Sequence, residues 1–271
     1  MILLNNRHVL TPGPTGTGKT VNIQQLLSAE VPEEVQFLAM TFSAQTGANQ
    51  TQDYLDDKFT KRRKGVYGPP VGNRFVIFID DLNMPKKEEY GAQPPIELLR
   101  QWMDHHGWYD RKNKEKLFMT ITDIMFVCSM GPPGGGRSPI TQRLQRHFNI
   151  ITYADLEKET IHGIFLTIVK AFLNNFSEDV KNTIPNLVAA ELQVYNNILT
   201  GSLKPIPRKS HYTFNLRDIS KIFQGVCSVT SQTISAKIEL VRLWYHENKR
   251  VFGDRLIEQE DRDWLDNQLF K

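Results

Sequence analysis

Eight residues near the start of the chain read GPTGTGKT, which fits the phosphate-loop pattern G-x-x-x-x-G-K-[ST]. They are Gly13, Pro14, Thr15, Gly16, Thr17, Gly18, Lys19 and Thr20. The glycines allow backbone N–H groups to turn inward and cradle phosphate oxygens at the start of a helix. We expect Lys19 to reach the β- and γ-phosphates of a nucleotide and Thr20 to be a ligand of Mg²⁺.

Two adjacent carboxylates follow an apolar run in the segment FVIFIDD, residues 75–81. A continuous apolar run of this kind is typical of a strand that is buried on both faces of a parallel sheet. A carboxylate at the end of such a strand, beside a phosphate loop, holds a Mg²⁺-bound water, and we expect Asp80 to do so. We expect Asp81 to orient or deprotonate the water that attacks the nucleotide.

Three arginines have surroundings that favour contact with a phosphate group. Arg143 and Arg146, in TQRLQRHF, end a predicted helix just before the last strand of the sheet. In a ring assembly they would project into a neighbour's nucleotide site as arginine fingers; otherwise they are solvated or paired with acids. Arg217 lies in the first turn of a helix that Asn215 is predicted to cap, where a cation opposes the helix dipole. Its expected partner is a γ-phosphate or, alternatively, a neighbouring acid.

The composition argues against several other classes of function. Of 271 residues, 40% are apolar and 23% are charged, as in an ordinary globular protein. The net charge of +3 is too small to indicate binding to nucleic acid or to an anionic membrane. The basic run KRRK, residues 61–64, has no interleaved aromatic residues and is predicted to be the solvated end of a helix that Gly65 stops. His105 and His106 lack the i, i+4 spacing of a helical zinc site.

The periodicity of the chain changes once, near residue 153. Before that point strands and helices alternate, which predicts an α/β fold with a doubly wound, mostly parallel sheet flanked by helices. After it, four successive segments have helical periodicity only. We therefore predict an α/β nucleotide-binding subdomain over residues 1–153 and an all-α subdomain over residues 154–271. Cys128 and Cys227 are far apart and are expected to be reduced thiols.

The order of these motifs resembles that of the AAA+ ATPases. Longer segments narrow the resemblance, among them FIDDLNMPKKEEYGAQPPIELLRQWMDHHGWYD, GPPGGGRSPITQRLQRHF and LVRLWYHENKRVFGDRL. They are similar to the third AAA+ module of an axonemal dynein heavy chain. The resemblance runs from about residue 7 to the end of the chain, and only residues 1–6 look extraneous.

This resemblance implies a P-loop AAA+ module that binds ATP or ADP with Mg²⁺ and that has a regulatory role in a ring of such modules. The implied partners are the neighbouring modules of the same heavy chain, with the dynein intermediate and light chains bound through the full chain. The microtubule is reached only through the rest of the motor, and neither nucleic acid nor a membrane is expected. The implied location is the cytoplasm and cytoskeleton, in the axoneme of a cilium or flagellum.

The resemblance also assigns roles to single residues. The phosphate-loop, magnesium and second-sensor roles go to Lys19, Thr20, Asp80 and Arg217. Arg143 and Arg146 would serve the nucleotide site of the preceding module. Two positions depart from the AAA+ pattern: Asp81 replaces the usual catalytic Glu, and Gly131 stands where the first sensor is commonly a polar residue such as Asn.

Both departures leave the nucleotide-binding residues intact and weaken the catalytic set. The shorter side chain of Asp81 withdraws its carboxylate by roughly 1 to 1.5 Å, and misplacement on that scale costs about 10²-fold in rate. The sequence therefore predicts nucleotide binding with slow hydrolysis. Two alternatives are left open: a fully active ATPase module in which Asp81 works through a repositioned water, and a structural ring spacer in which nucleotide is a folding cofactor.

Overall fold

The computed structural model describes residues 7–201 and 203–270. The chain divides into two compact units between Asp155 and Leu156. Residues 1–6, which the sequence sets apart as extraneous, lie outside the described part of the chain. Within that part, no helix has both the length and the apolar character needed to cross a membrane.

The first unit combines two sheets with four helices among its described residues. The strands are β1 (Val9–Pro12), β2 (Val35–Thr41), β3 (Thr60–Arg63), β4 (Val66–Gly68), β5 (Arg74–Asp80), β6 (Gly107–Tyr109), β7 (Phe118–Ile121), β8 (Ile124–Met130) and β9 (Asn149–Ile150). The helices are α1 (Lys19–Ala29), α2 (Ala48–Asp56), α3 (Pro94–His105) and α4 (Gln142–Gln145). The larger sheet has the order β2-β5-β8-β1-β9, and every pair in it is parallel. The predicted α/β fold with a mostly parallel sheet is confirmed.

The apolar run of β5 is buried because the strand lies in the interior of the sheet with helices on both faces. Successive side chains of a strand point to opposite faces. Val76 and Phe78 accordingly share a core with the buried face of α1. Ile77 and Ile79 share a second core with α2 and α3. The neighbouring strand β8 is buried along its whole length, which places the carboxyl ends of β5 and β8 side by side.

The basic run was predicted to end a helix, and this prediction is wrong. Helix α2 ends at Asp56, and most of the run lies in β3, which forms an antiparallel hairpin with β4. Gly65 is the turn of that hairpin, with a φ of 74°. Arg62 is held against the sheet, because it donates to the Pro69 carbonyl at 3.0 Å and forms an ion pair with Asp123. The run is therefore part of a second sheet, of order β3-β4-β7-β6.

The second unit is built from helices. They are α5 (Lys158–Phe172), α6 (Glu178–Thr200), α7 (Leu216–Val226), α8 (Lys237–Val251) and α9 (Gln259–Leu269). The four predicted helical segments correspond to α5 through α8, and α9 was not predicted from the sequence. Few apolar residues mark α9, but its Leu265 is fully buried in the core that all five helices share. The predicted all-α region is confirmed.

One carboxylate lies inside this second core. Glu191 of α6 is completely buried and accepts hydrogen bonds from Trp244 Nε1 at 2.7 Å and from Asn248 Nδ2 at 2.9 Å, both on the same oxygen. Its other oxygen, Oε1, has no hydrogen-bond partner among the described residues. Burial raises the pKa of Glu191 to about 7, although both hydrogen bonds favour the ionised form.

Candidate nucleotide-binding site

The phosphate loop connects the end of β1 to the start of α1. Gly18 is the N-cap of α1 and has a left-handed backbone, with a φ of 78°. Gly13 has no room for a side chain, because a Cβ there would lie 2.7 Å from the Tyr153 carbonyl oxygen. The Gly13 N–H donates to the Met130 carbonyl at 3.1 Å and so joins the loop to the end of β8. These two glycines allow the backbone to enclose an anion at the N-terminus of α1.

The lysine of the loop lies within the loop's own curve. Lys19 Nζ donates to the carbonyl oxygens of Gly13 at 2.9 Å and of Pro14 at 2.6 Å. Thr17 Oγ1 donates to the same Pro14 carbonyl at 3.0 Å. The ammonium group therefore lies against the loop in which the sequence pattern predicts that phosphate oxygens bind.

Three donors converge on the carboxylate at the end of β5. Thr20 Oγ1 donates to Asp80 Oδ2 at 2.7 Å, and the Asp81 N–H donates to Asp80 Oδ1 at 3.1 Å. Ser129 Oγ, from the neighbouring strand β8, also donates to Asp80 Oδ1. Hydroxyl and carboxylate oxygens of this kind are the protein ligands that Mg²⁺ prefers. These residues fit the expected magnesium site, and the sequence reasoning missed Ser129, which contacts the same carboxylate.

The carboxylate of Asp81, unlike that of Asp80, pairs with an arginine. Asp81 has a left-handed backbone, with a φ of 54°, and its Oδ1 lies 3.3 Å from Arg137 Nη2. The Arg137 side chain covers Gly131, where an added Cβ would lie 2.6 Å from Arg137 Nε. Arg137 was not among the residues singled out from the sequence. A guanidinium group thus covers Gly131, the position at which the resemblance leads us to expect a polar first sensor.

The loop that carries Arg137 is fastened at both ends. Asn83, which is fully buried, donates through Nδ2 to the Gly131 carbonyl at 2.9 Å and to the Ser138 carbonyl at 3.1 Å. Inside the loop, the backbone of Gly134 and that of Arg137 exchange hydrogen bonds of 2.9 and 3.0 Å. These contacts fix the path of residues 131–138 beside the phosphate loop.

Arg143 and Arg146 lie elsewhere in the first unit. Arg143 is exposed, and Arg146 forms an ion pair with Asp104 at the end of α3, where His147 Nε2 lies 3.0 Å from the same carboxylate oxygen. Burial raises the pKa of Asp104, but the interactions with Arg146, His147 and Arg100 together lower it by more, so that the net shift is downward. Neither arginine contacts the described residues of the phosphate loop, and both remain finger candidates only by prediction.

Arg217 belongs to the second unit, at the start of α7. The predicted cap is confirmed: Asn215 Oδ1 accepts from the Arg217 N–H at 2.9 Å, and Asp218 Oδ2 accepts from the Asn215 N–H at 3.0 Å. Asp218 is also paired with Arg255, at 3.0 Å. The Arg217 side chain is exposed and forms no ion pair with residues of the described ranges.

Comparison with known proteins agrees with this geometry. The family described as P-loop containing dynein motor region matches residues 1–156, and the AAA+ lid domain matches residues 187–270. Dynein axonemal heavy chain 1 of Mus musculus is 51% identical over 281 residues, which cover 99% of this chain and 7% of that protein. The Homo sapiens heavy chain 1 is likewise 51% identical, over 99% of this chain and 6% of its own.

A second kind of heavy chain is nearly as similar. Dynein axonemal heavy chain 12 of Mus musculus is 47% identical over 260 residues, or 95% of this chain and 8% of that protein. The chain thus spans about 6–8% of the length of the curated relatives it matches. The expected resemblance to the AAA+ modules of dynein heavy chains is confirmed. With a phosphate loop at the carboxyl end of a strand of the parallel sheet and an AAA+ lid domain after it, the chain belongs to the family of P-loop containing dynein motor regions.

Proposed function

We propose that this chain is an adenine-nucleotide-binding regulatory module of an axonemal dynein motor ring, equivalent to the third module, and that it hydrolyses ATP slowly. The observation that carries the proposal is the contrast between two neighbouring carboxylates. Asp80 is aligned by Thr20 and Ser129 beside the phosphate loop, whereas Asp81 is paired with Arg137 at 3.3 Å. The side chains proposed to bind nucleotide and Mg²⁺ are aligned with one another, whereas the carboxylate of Asp81, proposed to activate water, is paired with an arginine.

In this proposal ATP or ADP is held by residues 13–20, with Lys19 on the phosphates. Thr20 and Asp80 would hold Mg²⁺, Asp80 through a water, and the metal would neutralise charge on the β- and γ-phosphates. Arg217 is the proposed second sensor. Arg143 and Arg146 are the proposed fingers for a neighbouring module, and their exposed position in or just after α4 is compatible with that role.

Slow hydrolysis follows from two features of the first unit. Aspartate is one methylene shorter than glutamate, and a misplaced catalytic group costs about 10²-fold in rate. The second feature is Gly131, at the position expected for the first sensor, because glycine has no side chain with which to hold the attacking water. The proposed output is then the nucleotide state of the module, rather than a steady turnover of ATP.

The wider setting is proposed from the relatives, since the chain spans only 7% of the first of them. The predicted large subdomain, residues 1–153, and the predicted lid, residues 154–271, would together form one module among several in the same heavy chain. The motor would work in the axoneme of a cilium or flagellum, within the cytoplasm and cytoskeleton. Microtubules, intermediate chains and light chains would be reached through the rest of the heavy chain.

The test is nucleotide binding and single-turnover hydrolysis by the purified chain, compared with Lys19→Ala and Asp81→Glu. We expect binding of ATP and ADP that Lys19→Ala abolishes, and very slow hydrolysis in the unsubstituted chain. Within an assembled ring, Asp81→Glu should raise the rate by up to about 10²-fold, because the longer side chain restores the reach of the carboxylate. Fast hydrolysis without substitution would favour the active-ATPase alternative. A folded Lys19→Ala ring with unchanged motor behaviour would favour the structural spacer.

A further inference from the structure

We propose that Arg137 binds the γ-phosphate of a nucleoside triphosphate from within the same chain, and that Asp81 holds its guanidinium group until the triphosphate arrives. This inference rests on the proposed function, because it concerns the same nucleotide site. It assigns to Arg137 the contact that Gly131, having no side chain, is unable to make.

The position of Arg137 supports this role from two sides. Its side chain lies over Gly131, which directly follows Met130, and the Met130 carbonyl accepts from the first glycine of the phosphate loop at 3.1 Å. Its Nη2 contacts Asp81, which directly follows the magnesium-site residue Asp80. The guanidinium group is therefore held between the ends of β8 and β5, at the edge of the sheet where the phosphate loop begins.

The contacts that Arg137 makes do not satisfy all the hydrogen-bond donors of its guanidinium group. An arginine has five N–H donors in a planar fork. The contact with Asp81 is 3.3 Å, whereas a strong charge-assisted hydrogen bond measures about 2.7–2.9 Å. Arg137 Nε is buried and has no hydrogen-bond partner among the residues that the structure describes. An anion with several oxygens would satisfy these donors better than the carboxylate does.

The loop is built to present this side chain rather than to let it move freely. Three consecutive glycines, residues 134–136, have φ values of 121°, 57° and 89° and turn the chain back on itself. The backbone pair between Gly134 and Arg137 closes that turn, and Asn83 fastens both ends of the loop. Arg137 thus extends from a fixed turn toward the sheet.

Charge explains how the arginine would distinguish ATP from ADP. The γ-phosphate is a dianion with three oxygens that compete with the single negative charge of Asp81 for the guanidinium. ADP lacks that group, so Arg137 would stay on Asp81 when a diphosphate is bound. Arrival of a triphosphate would release Asp81 at the same time, which couples recognition of the γ-phosphate to the freedom of the proposed catalytic acid.

The experiment measures the Kd of fluorescent ADP and of a fluorescent non-hydrolysable ATP analogue for the purified chain with Mg²⁺ and for its variants. For Arg137→Gln we expect about a tenfold weaker affinity for the triphosphate, the usual loss when one hydrogen bond to a charged group is removed. Affinity for ADP should stay within about twofold of its original value. Arg111→Gln is the matched control, since Arg111 forms an arginine–aspartate pair with Asp53 at 3.6 Å in the same unit, and it should change neither Kd.

A second variant keeps the test decisive if Arg137→Gln does not fold. Asp81→Asn removes the competing charge and leaves Arg137 in place, so it should tighten triphosphate binding several-fold and leave ADP binding unchanged. Equal effects on both nucleotides, or none on either, would overturn the role of Arg137 while leaving the proposed function intact. Failure of the unsubstituted chain to bind any nucleotide would instead defeat the proposed function.

Discussion

At the scale of single residues, Asp80 is the group on which the site depends. It accepts from Thr20 on the phosphate-loop side, from Ser129 on the next strand and from the backbone of Asp81. These donors come from three separate segments, so the carboxylate is held in one direction by the fold rather than by its own rotamer preference. Metal sites depend on this kind of support, because small errors in ligand direction weaken binding.

Substitution of Thr20 tests whether this alignment serves Mg²⁺. Thr20→Val removes the hydroxyl and keeps the shape, and we expect a loss of about 10- to 100-fold in the affinity for Mg²⁺. The measurement is nucleotide titration with and without Mg²⁺. Thr183→Val is the control, because the Thr183 hydroxyl donates only to the Asp179 carbonyl within α6, at 2.9 Å. An unchanged response to Mg²⁺ in Thr20→Val would contradict the proposed metal site.

The sequence predicted some of these residues and not others, for a physical reason. Lys19, Thr20 and Asp80 belong to short patterns in which neighbouring residues together specify a loop or a strand end. Arg137 acquires its meaning only from contact with a residue 56 positions away, and Ser129 from one 49 positions away. Only the register of the sheet brings such residues together, and no local pattern records it.

At the scale of elements, the second sheet was not predicted, because its strands also leave no clear local pattern in the sequence. Gly65 marks either the end of a helix or the turn of a hairpin, and the polar periodicity of α2 favoured the helix. Strands β4 and β6 have only three residues each, too few to show an alternating pattern. The long apolar run of β5 was predicted correctly, because burial on both faces leaves a continuous signal in the sequence.

Two glycines inside helices of the second unit make a matched pair for a stability test. A Cβ at Gly163 of α5 would meet no atom within 4 Å, whereas one at Gly225 of α7 would lie 2.0 Å from Glu247 Oε2. Gly163→Ala should raise the free energy of unfolding by about 0.5–1 kcal/mol, because glycine loses more backbone entropy in a helix. Gly225→Ala should lower it by about 1–3 kcal/mol, because the side chain of Glu247 must move.

Denaturant unfolding followed by circular dichroism measures both effects on the same chain. The helical glycine positions share one unit, so each variant serves as the control for the other. Destabilisation by Gly163→Ala, or stabilisation by Gly225→Ala, would show that the packing around α5 or α7 is not as described.

At the scale of the whole molecule, the two units carry groups that respond to pH in opposite directions. In the first unit His8 Nδ1 accepts from the Phe126 N–H at 3.1 Å, and burial, with smaller contributions from His147 and His106, lowers the pKa of His8 to about 4. Below pH 6.5 the unfolded chain binds this proton more readily than the folded unit, so stability falls as the pH drops toward 4.

For Glu191 in the second unit the dependence of stability on pH has the opposite sign. Its pKa is raised by burial from 4.5 to about 7, so the folded unit keeps a proton that the unfolded chain has already released. The stability that this group contributes is complete below pH 4.5 and is lost as the pH rises to about 7. The two units should therefore differ in the pH at which each is most stable.

Two neutral variants test this difference. His8→Asn keeps an acceptor for the Phe126 N–H and should flatten the pH dependence of the first unit between pH 6.5 and 4. Glu191→Gln should do so for the second unit between pH 4.5 and 7. Amide hydrogen exchange resolved by peptide follows each unit separately, with the other unit as an internal control. Retention of the original slope in either variant would exclude that group as its source.

The distribution of the cysteines has a practical consequence for such measurements. Cys128 is fully buried in β8 and Cys227 is half-buried at the end of α7, and both are free thiols whose pKa values are raised by burial. Each unit thus contains one slow nucleophile, and the chain has no other cysteine. A thiol reagent with a distinct mass would record, in one spectrum, how often the sheet and the helical bundle each open. Nucleotide bound at the end of β8 should slow the labelling of Cys128.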